Sequence, residues 1–127
     1  MRHFISLMLV VVAVIHLLPL AGVLGAERLA ALYGITIAEP NLAILMRHRA
    51  VLFGLLGLFF LLAAWQPRLQ AIAFIAGFVS VLSFMALAWS TGGYNPQIAR
   101  VLVADWVALG CLVAGAAAWL IRTRSAV

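Results

Sequence analysis

The sequence predicts an all-α fold, an integral membrane four-helix bundle, and three observations carry that expectation. Of the 127 residues, 68% are hydrophobic and only 9% charged, against roughly half and roughly a quarter in soluble domains. Four stretches reach the roughly 20 apolar residues that a helix needs to cross a bilayer. Three of the four prolines, Pro40, Pro67 and Pro96, stand between those stretches, where helices stop and start. The chain is long enough for one transmembrane domain, residues 1–127, and too short for a separate soluble catalytic module.

The spans are expected at approximately residues 4–24, 41–65, 69–90 and 97–121. The first follows Arg2 and His3 and precedes the small residues Gly25 and Ala26, the layout of a secretory signal. Its apolar run exceeds the roughly 7–15 residues of a signal core, which predicts an uncleaved helix. The second opens on Pro40, suited to a first helical turn, and ends at Gln66-Pro67. The third ends at the turn cluster Thr91-Gly92-Gly93-Tyr94-Asn95-Pro96, from which the fourth begins. Trp65, Trp89, Tyr94 and Trp119 fall near span ends, where amphipathic rings prefer to sit. The one substantial connection runs from Gly25 to Asn41. Within it, Ala26 to Tyr33 reads as a short interfacial helix stopped by Gly34, with Leu29 and Leu32 toward lipid or bundle.

The net charge of +5 comes from eight arginines and no lysine. The arginines are scattered at helix ends, which reads as topology signals and anionic-lipid contacts and not as a nucleic-acid surface. One side of the membrane receives Arg2, Arg68, Arg122 and Arg124; the other receives Arg28, Arg47, Arg49 and Arg100 with Glu27 and Glu39. Arg47 and Arg49 lie inside a span, and discounting them puts both termini in the cytoplasm. The lone Cys111 excludes an internal disulfide and a multi-thiolate metal site. A weak internal repeat aligns Pro40-Asn41-Leu42-Ala43 with Pro96-Gln97-Ile98-Ala99, Arg49 with Asp105 and Gly54 with Gly110, relating the two helical hairpins about the membrane normal.

Ionisable groups inside a bilayer are costly, so each needs a reason. Measured from the side that carries the long connection, here the loop side, His16 is eight positions in. Arg47, His48 and Arg49 are seven to nine positions in, Ser83 eight and Asp105 nine. At 1.5 Å per residue these groups from four helices share a layer roughly 10–14 Å below the loop-side helix ends. Arg47 lies on a stripe with Ala50, Val51 and Gly54, which predicts that it faces the bundle. Arg49, about 200° around the helix from Arg47, points elsewhere, so one of the two faces the core and the other the headgroups. Ala73, Gly77 and Ser80 form a second small-residue stripe, and Ala104, Ala108, Cys111 and Gly115 a third.

Two readings of this layer differ in class. In the first, His16, Arg47, Arg49 and Asp105, with His48 and Ser83 at the same depth, line a ligand site open to the loop side. Arginine forks bind carboxylate or phosphate, so a lipid or a quinone-like amphiphile with an anionic or carbonyl head fits, its tail between helices. In the second, the layer is structural: Asp105 neutralises an arginine, His16 bonds a partner helix, Ser80 and Ser83 bond their own backbone. A non-enzymatic accessory subunit, a homo-oligomer or a partner of another membrane protein fits that reading. His16 and His48 also suggest a haem b ligand pair, but no spare histidine pair and no haem-attachment cysteines accompany them, and no cofactor is expected. Phosphate-cradling glycine loops, nucleophile elbows and metalloprotease signatures are missing, so no enzyme class is indicated.

The run from Pro40 through Met46-Arg47-His48-Arg49 to Gly54, with His16-Leu17-Leu18-Pro19 and Gly92-Gly93-Tyr94-Asn95, resembles a group of small four-span proteobacterial membrane proteins of this length. The likeness spans nearly the whole chain and implies an inner-membrane location. Members often carry the name phosphopantetheine adenylyltransferase. That soluble nucleotidyltransferase has a His-x-Gly-His phosphate motif, which this chain lacks, so the name implies no activity here. The architecture is also similar to DoxX-type four-helix membrane proteins, which implies a fold and no mechanism.

Overall fold

The protein is described by a computed structural model covering residues 1–126. It is all helical, with no strand among the described residues. Helix α1 spans Arg2–Leu17, α2 Ala26–Tyr33, α3 Pro40–Trp65, α4 Gln70–Thr91 and α5 Pro96–Ser125. All but α2, with the turns that extend α1 and precede α4, are long and apolar enough to cross a membrane, the pattern of a multi-pass membrane protein. Only 28–33% of each span is buried inside the bundle. The remaining faces carry large apolar side chains such as Leu45, Leu55, Leu62, Ile75 and Val79, a surface suited to lipid and not to water.

The first span changes winding midway. Pro19 has no N–H to donate, and α1 ends two residues before it. The chain continues as a 3₁₀ helix over Leu18–Leu24, which rises about 2 Å per residue against 1.5 Å in an α-helix. This tighter, longer-rising end packs closely on α3. A side chain at Gly54 would collide with Leu20, and one at Gly57 with Leu17, so the small residues of α3 are sockets for the leucines of the first span.

Both long helices that start on the loop side are capped by side chains. The Glu39 carboxylate accepts from the backbone N–H groups of Asn41 and Leu42 at 2.9 Å each, which holds its pKa below the usual carboxylate value. Asn95 Oδ1 accepts from Ile98 N at 2.8 Å. Its amide nitrogen also donates to Tyr33 O at 2.7 Å and Gly34 O at 3.2 Å, tying α2 to the start of α5. Gly34 ends α2 in the left-handed region at φ 65°, and a side chain there would meet Gln97. The two proline-led starts thus match, as the repeat predicts, but its glycines do not. Gly54 is buried against Leu20, whereas Gly110 is exposed with nothing beside it.

Helix α1 packs between α3 and α5, and α4 lies diagonally across from it against α5 and α3. The main core runs from the terminal side, with Ile5, Leu9, Phe60, Ala63, Phe74 and Leu112, up to Met85 and Leu102. A smaller cluster of Leu29, Tyr33 and Ile37 packs α2 onto the loop-side ends of α3 and α5. Leu29 therefore faces the bundle.

Candidate functional site

Between the two clusters lies a cavity of about 300 Å³, lined by side chains from all five helices and from the 3₁₀ end of the first span. That size is at the lower end of the roughly 300–1,000 Å³ typical of small-molecule sites. Ile15, Pro19, Leu32, Phe53, Phe84 and Val101 supply apolar walls; His16, Tyr33, Arg49, Ser80, Gln97, Arg100 and Asp105 supply the polar groups. Helix α2 covers part of it through Ala31, Leu32 and Tyr33.

Arg49 reaches this space because α3 turns its face inward there. Its guanidinium carbon lies 4.5 Å from the Phe53 ring centre, 5.2 Å from Tyr33 and 5.9 Å from Phe84. Three aromatic faces attract the cation where water is scarce. Nη1 donates to Tyr33 Oη at 2.7 Å, one of the five donors a guanidinium offers. Asp105 is only 9% exposed, yet neither of its oxygens is sealed in the protein without a partner, so the carboxylate opens on the cavity it lines. No ion pair joins it to Arg49 among the described residues; Arg49 bonds a tyrosine instead.

His16 is 3% exposed. Its Nδ1 lies 2.9 Å from Val12 O and its Nε2 2.8 Å from Ser80 Oγ. The imidazole stands edge-on to Phe60 at 4.9 Å and tilted against Phe53 at 5.7 Å. One hydrogen bond thus joins diagonal helices at the wall of the cavity. The partner is Ser80, not Ser83. The 3₁₀ end of the first span places His16 about 15 Å below Leu24 where an α-helix would give about 12 Å, and Ser80 is nearly one turn deeper than Ser83.

The sequence-predicted residues divide cleanly. His16, Arg49 and Asp105 converge on the cavity. Arg47, His48 and Ser83 are exposed and do not line it. Arg47 Nε donates to Val23 O at 2.8 Å, because its small-residue stripe faces the 3₁₀ end of the first span, where Gly54 packs on Leu20. Ser83 donates to Ser80 O at 3.1 Å. His48 does not share a space with His16, so the two do not form a facing pair for haem iron. Sequence reasoning missed Tyr33, Gln97 and Arg100 as lining residues. Gln97, Arg100, Val101, Ala104, Asp105 and Ala108 follow one helical stripe, a signal that was present in the sequence; Tyr33 belongs to a connection whose position only the fold sets. No family profile, curated protein or solved structure matches this chain, and the functional reading rests on the cavity itself.

Proposed function

We propose that this is a multi-pass protein of the bacterial inner membrane, with both termini cytoplasmic, whose loop-side cavity binds the polar head of an amphiphile. The observation that carries the reading is the pairing of an aromatic-held Arg49 and an open Asp105 on one small cavity inside the span layer. A charge so placed needs a reason. No direct ion pair joins them among the described residues, and both keep hydrogen-bonding capacity for a ligand. The volume suits a headgroup and its first methylenes, the tail lying between helices or in lipid. Lipids and quinone-like molecules with anionic or carbonyl heads fit the donors present. The resemblance to small four-span membrane proteins supports the location. The arginines flanking the spans on the terminal side support the orientation; a fluorescent protein fused to the C-terminus is expected to light up inside the cell and to stay dark if the orientation is reversed.

A second reading, in which the polar layer only joins helices, is favoured by the His16–Ser80 bond across the bundle. Native mass spectrometry of the detergent-solubilised protein separates the two. A defined lipid or quinone is expected on the parent protein and lost from an Arg49→Ala, Asp105→Ala variant. A bare parent, with a variant that is merely less stable, would select the structural reading.

A further inference from the structure

We propose that Ser80 and His16 form a nucleophile–base pair that cleaves the acyl ester of an amphiphile held in the cavity. The proposal rests on the amphiphile reading above and adds the chemistry of the bound molecule.

Three observations lead to it. Val12 O can only accept a hydrogen bond, so His16 Nδ1 carries the proton; in the neutral ring Nε2 then has a lone pair, and the Ser80 hydroxyl donates to it over 2.8 Å. This is the arrangement of an activated nucleophile: hydroxyl, base, and a third group that orients the base. Second, Ser80 departs from its neighbours. A serine within a helix ordinarily turns its hydroxyl onto nearby backbone, as Ser83, Ser90 and Ser125 do; Ser6 and Ser80 both reach across the bundle, but Ser6 meets a backbone carbonyl and Ser80 a side chain that can act as a base. Third, both members of the pair border the cavity that Arg49 also lines. The Phe53 ring adjoins both the guanidinium and the imidazole, 4.5 Å from one and 5.7 Å from the other, so positive charge lies on the wall of the same cavity.

The step balances with water as the only co-reactant. Ser80 Oγ attacks the ester carbonyl carbon as Nε2 takes the hydroxyl proton. The bond from that carbon to the alcohol oxygen breaks, and the alcohol leaves with the proton from Nε2. Water then attacks the acyl-serine and gives a proton to Nε2. Ser80 Oγ departs, recovers that proton, and the carboxylic acid is released. Arg49 supplies positive potential while the carbonyl oxygen carries negative charge. Asp105 is outside the relay, because Nδ1 is held by Val12.

The test is reaction of the purified full-length protein in detergent with long-chain and short-chain alkyl fluorophosphonates, which bond to an activated serine as fluoride leaves. Intact mass and peptide mapping are expected to show one adduct, on Ser80, in the unsubstituted protein. The adduct is expected to vanish in Ser80→Ala, to persist in Ser83→Ala, and to form at least about 100-fold more slowly in His16→Gln with helicity intact by circular dichroism. An unlabelled Ser80 in the folded parent overturns the proposal without recourse to any variant, and so does equal labelling of folded His16→Gln. A protein that retains an amphiphile in native mass spectrometry but has an inert Ser80 loses the ester chemistry alone. Reaction with the short-chain probe only, in a protein that retains no amphiphile, overturns the substrate class together with the amphiphile reading.

Discussion

In the half of the bundle beside the termini, the buried polar side chains are consumed by their neighbours; in the loop-side half Arg49 and Asp105 face open space. Gln70, 1% exposed, donates to Ala63 O at 3.3 Å and accepts from Arg122 at 3.4 Å. Ser6 donates to Ala64 O at 2.5 Å. Around them Phe60, Leu9 and Leu112 close the packing, and Leu112 fills the place a side chain at Gly77 would need. Across the middle of the bundle the packing loosens to admit a cavity. Arg49 and Asp105 keep unused hydrogen-bonding capacity there. Buried polar groups ordinarily find partners within the protein. Those that find them are part of the scaffold, and those that open on a cavity are candidates for binding.

The largest effect on stability is therefore expected in the sealed half. Leu112→Ala should cost about 3 kcal/mol, within the range for leucine truncation in a packed core, and leave amphiphile retention unchanged. Thermal unfolding in detergent beside native mass spectrometry checks both, and joint loss of stability and retention would merge the two halves into one unit. Next comes Arg49→Ala, expected to lower retention at least tenfold while its aromatic contacts account for about 1–2 kcal/mol of stability. Arg47→Ala is the control. It loses one bond to Val23 O, about 1 kcal/mol, and should bind as the parent does; equal losses from both arginines would erase the distinction between them. Gln70→Met removes one partner only: Ala63 O keeps the bond from Gln66 N, but Arg122 loses its acceptor, so the cost should be about 1 kcal/mol, and an unfolding shift as large as that of Leu112→Ala would show the opposite.

The smallest effect is expected from acid. The folded pKa of Glu39 is depressed by the two N–H groups it caps, so its contribution is full above the ordinary carboxylate value and is lost as pH falls through the depressed one. Relative to the intrinsic, base-catalysed exchange rate, amide protection at Asn41 and Leu42 should fall across that acidic window in the parent and show no such step in Glu39→Gln. A protection that stays constant with pH in the parent would remove Glu39 as the cap.

The spans were readable because length and apolarity act locally, and so were the helix starts at Pro40 and Pro96 and the stop at Gly34, where residue chemistry dictates the backbone. The layer of polar residues was readable to within one turn. What escaped was which side of a helix meets empty space. Ala50 and Gly54 favoured Arg47 as the inward arginine, since small residues mark close contact; that contact is with the 3₁₀ end of the first span, and Arg47 does not line the cavity. Phe53, four residues beyond Arg49, was the better signal, because it gives the cation an aromatic face. Ser83 was chosen over Ser80 by counting every residue of the first span at α-helical rise, and that count fails where the chain around Pro19 turns to a 3₁₀ helix.

That proline also acts as a depth gauge. Seven residues wound at 2 Å instead of 1.5 Å lengthen the loop-side end of the first span by about 3.5 Å, some two thirds of a helical turn. The imidazole is lowered by that much relative to the membrane surface, past the level of one serine to the level of the next. A single imino acid, three positions from the histidine, thereby sets which hydroxyl the ring addresses and how far below the headgroups any chemistry at that hydroxyl takes place.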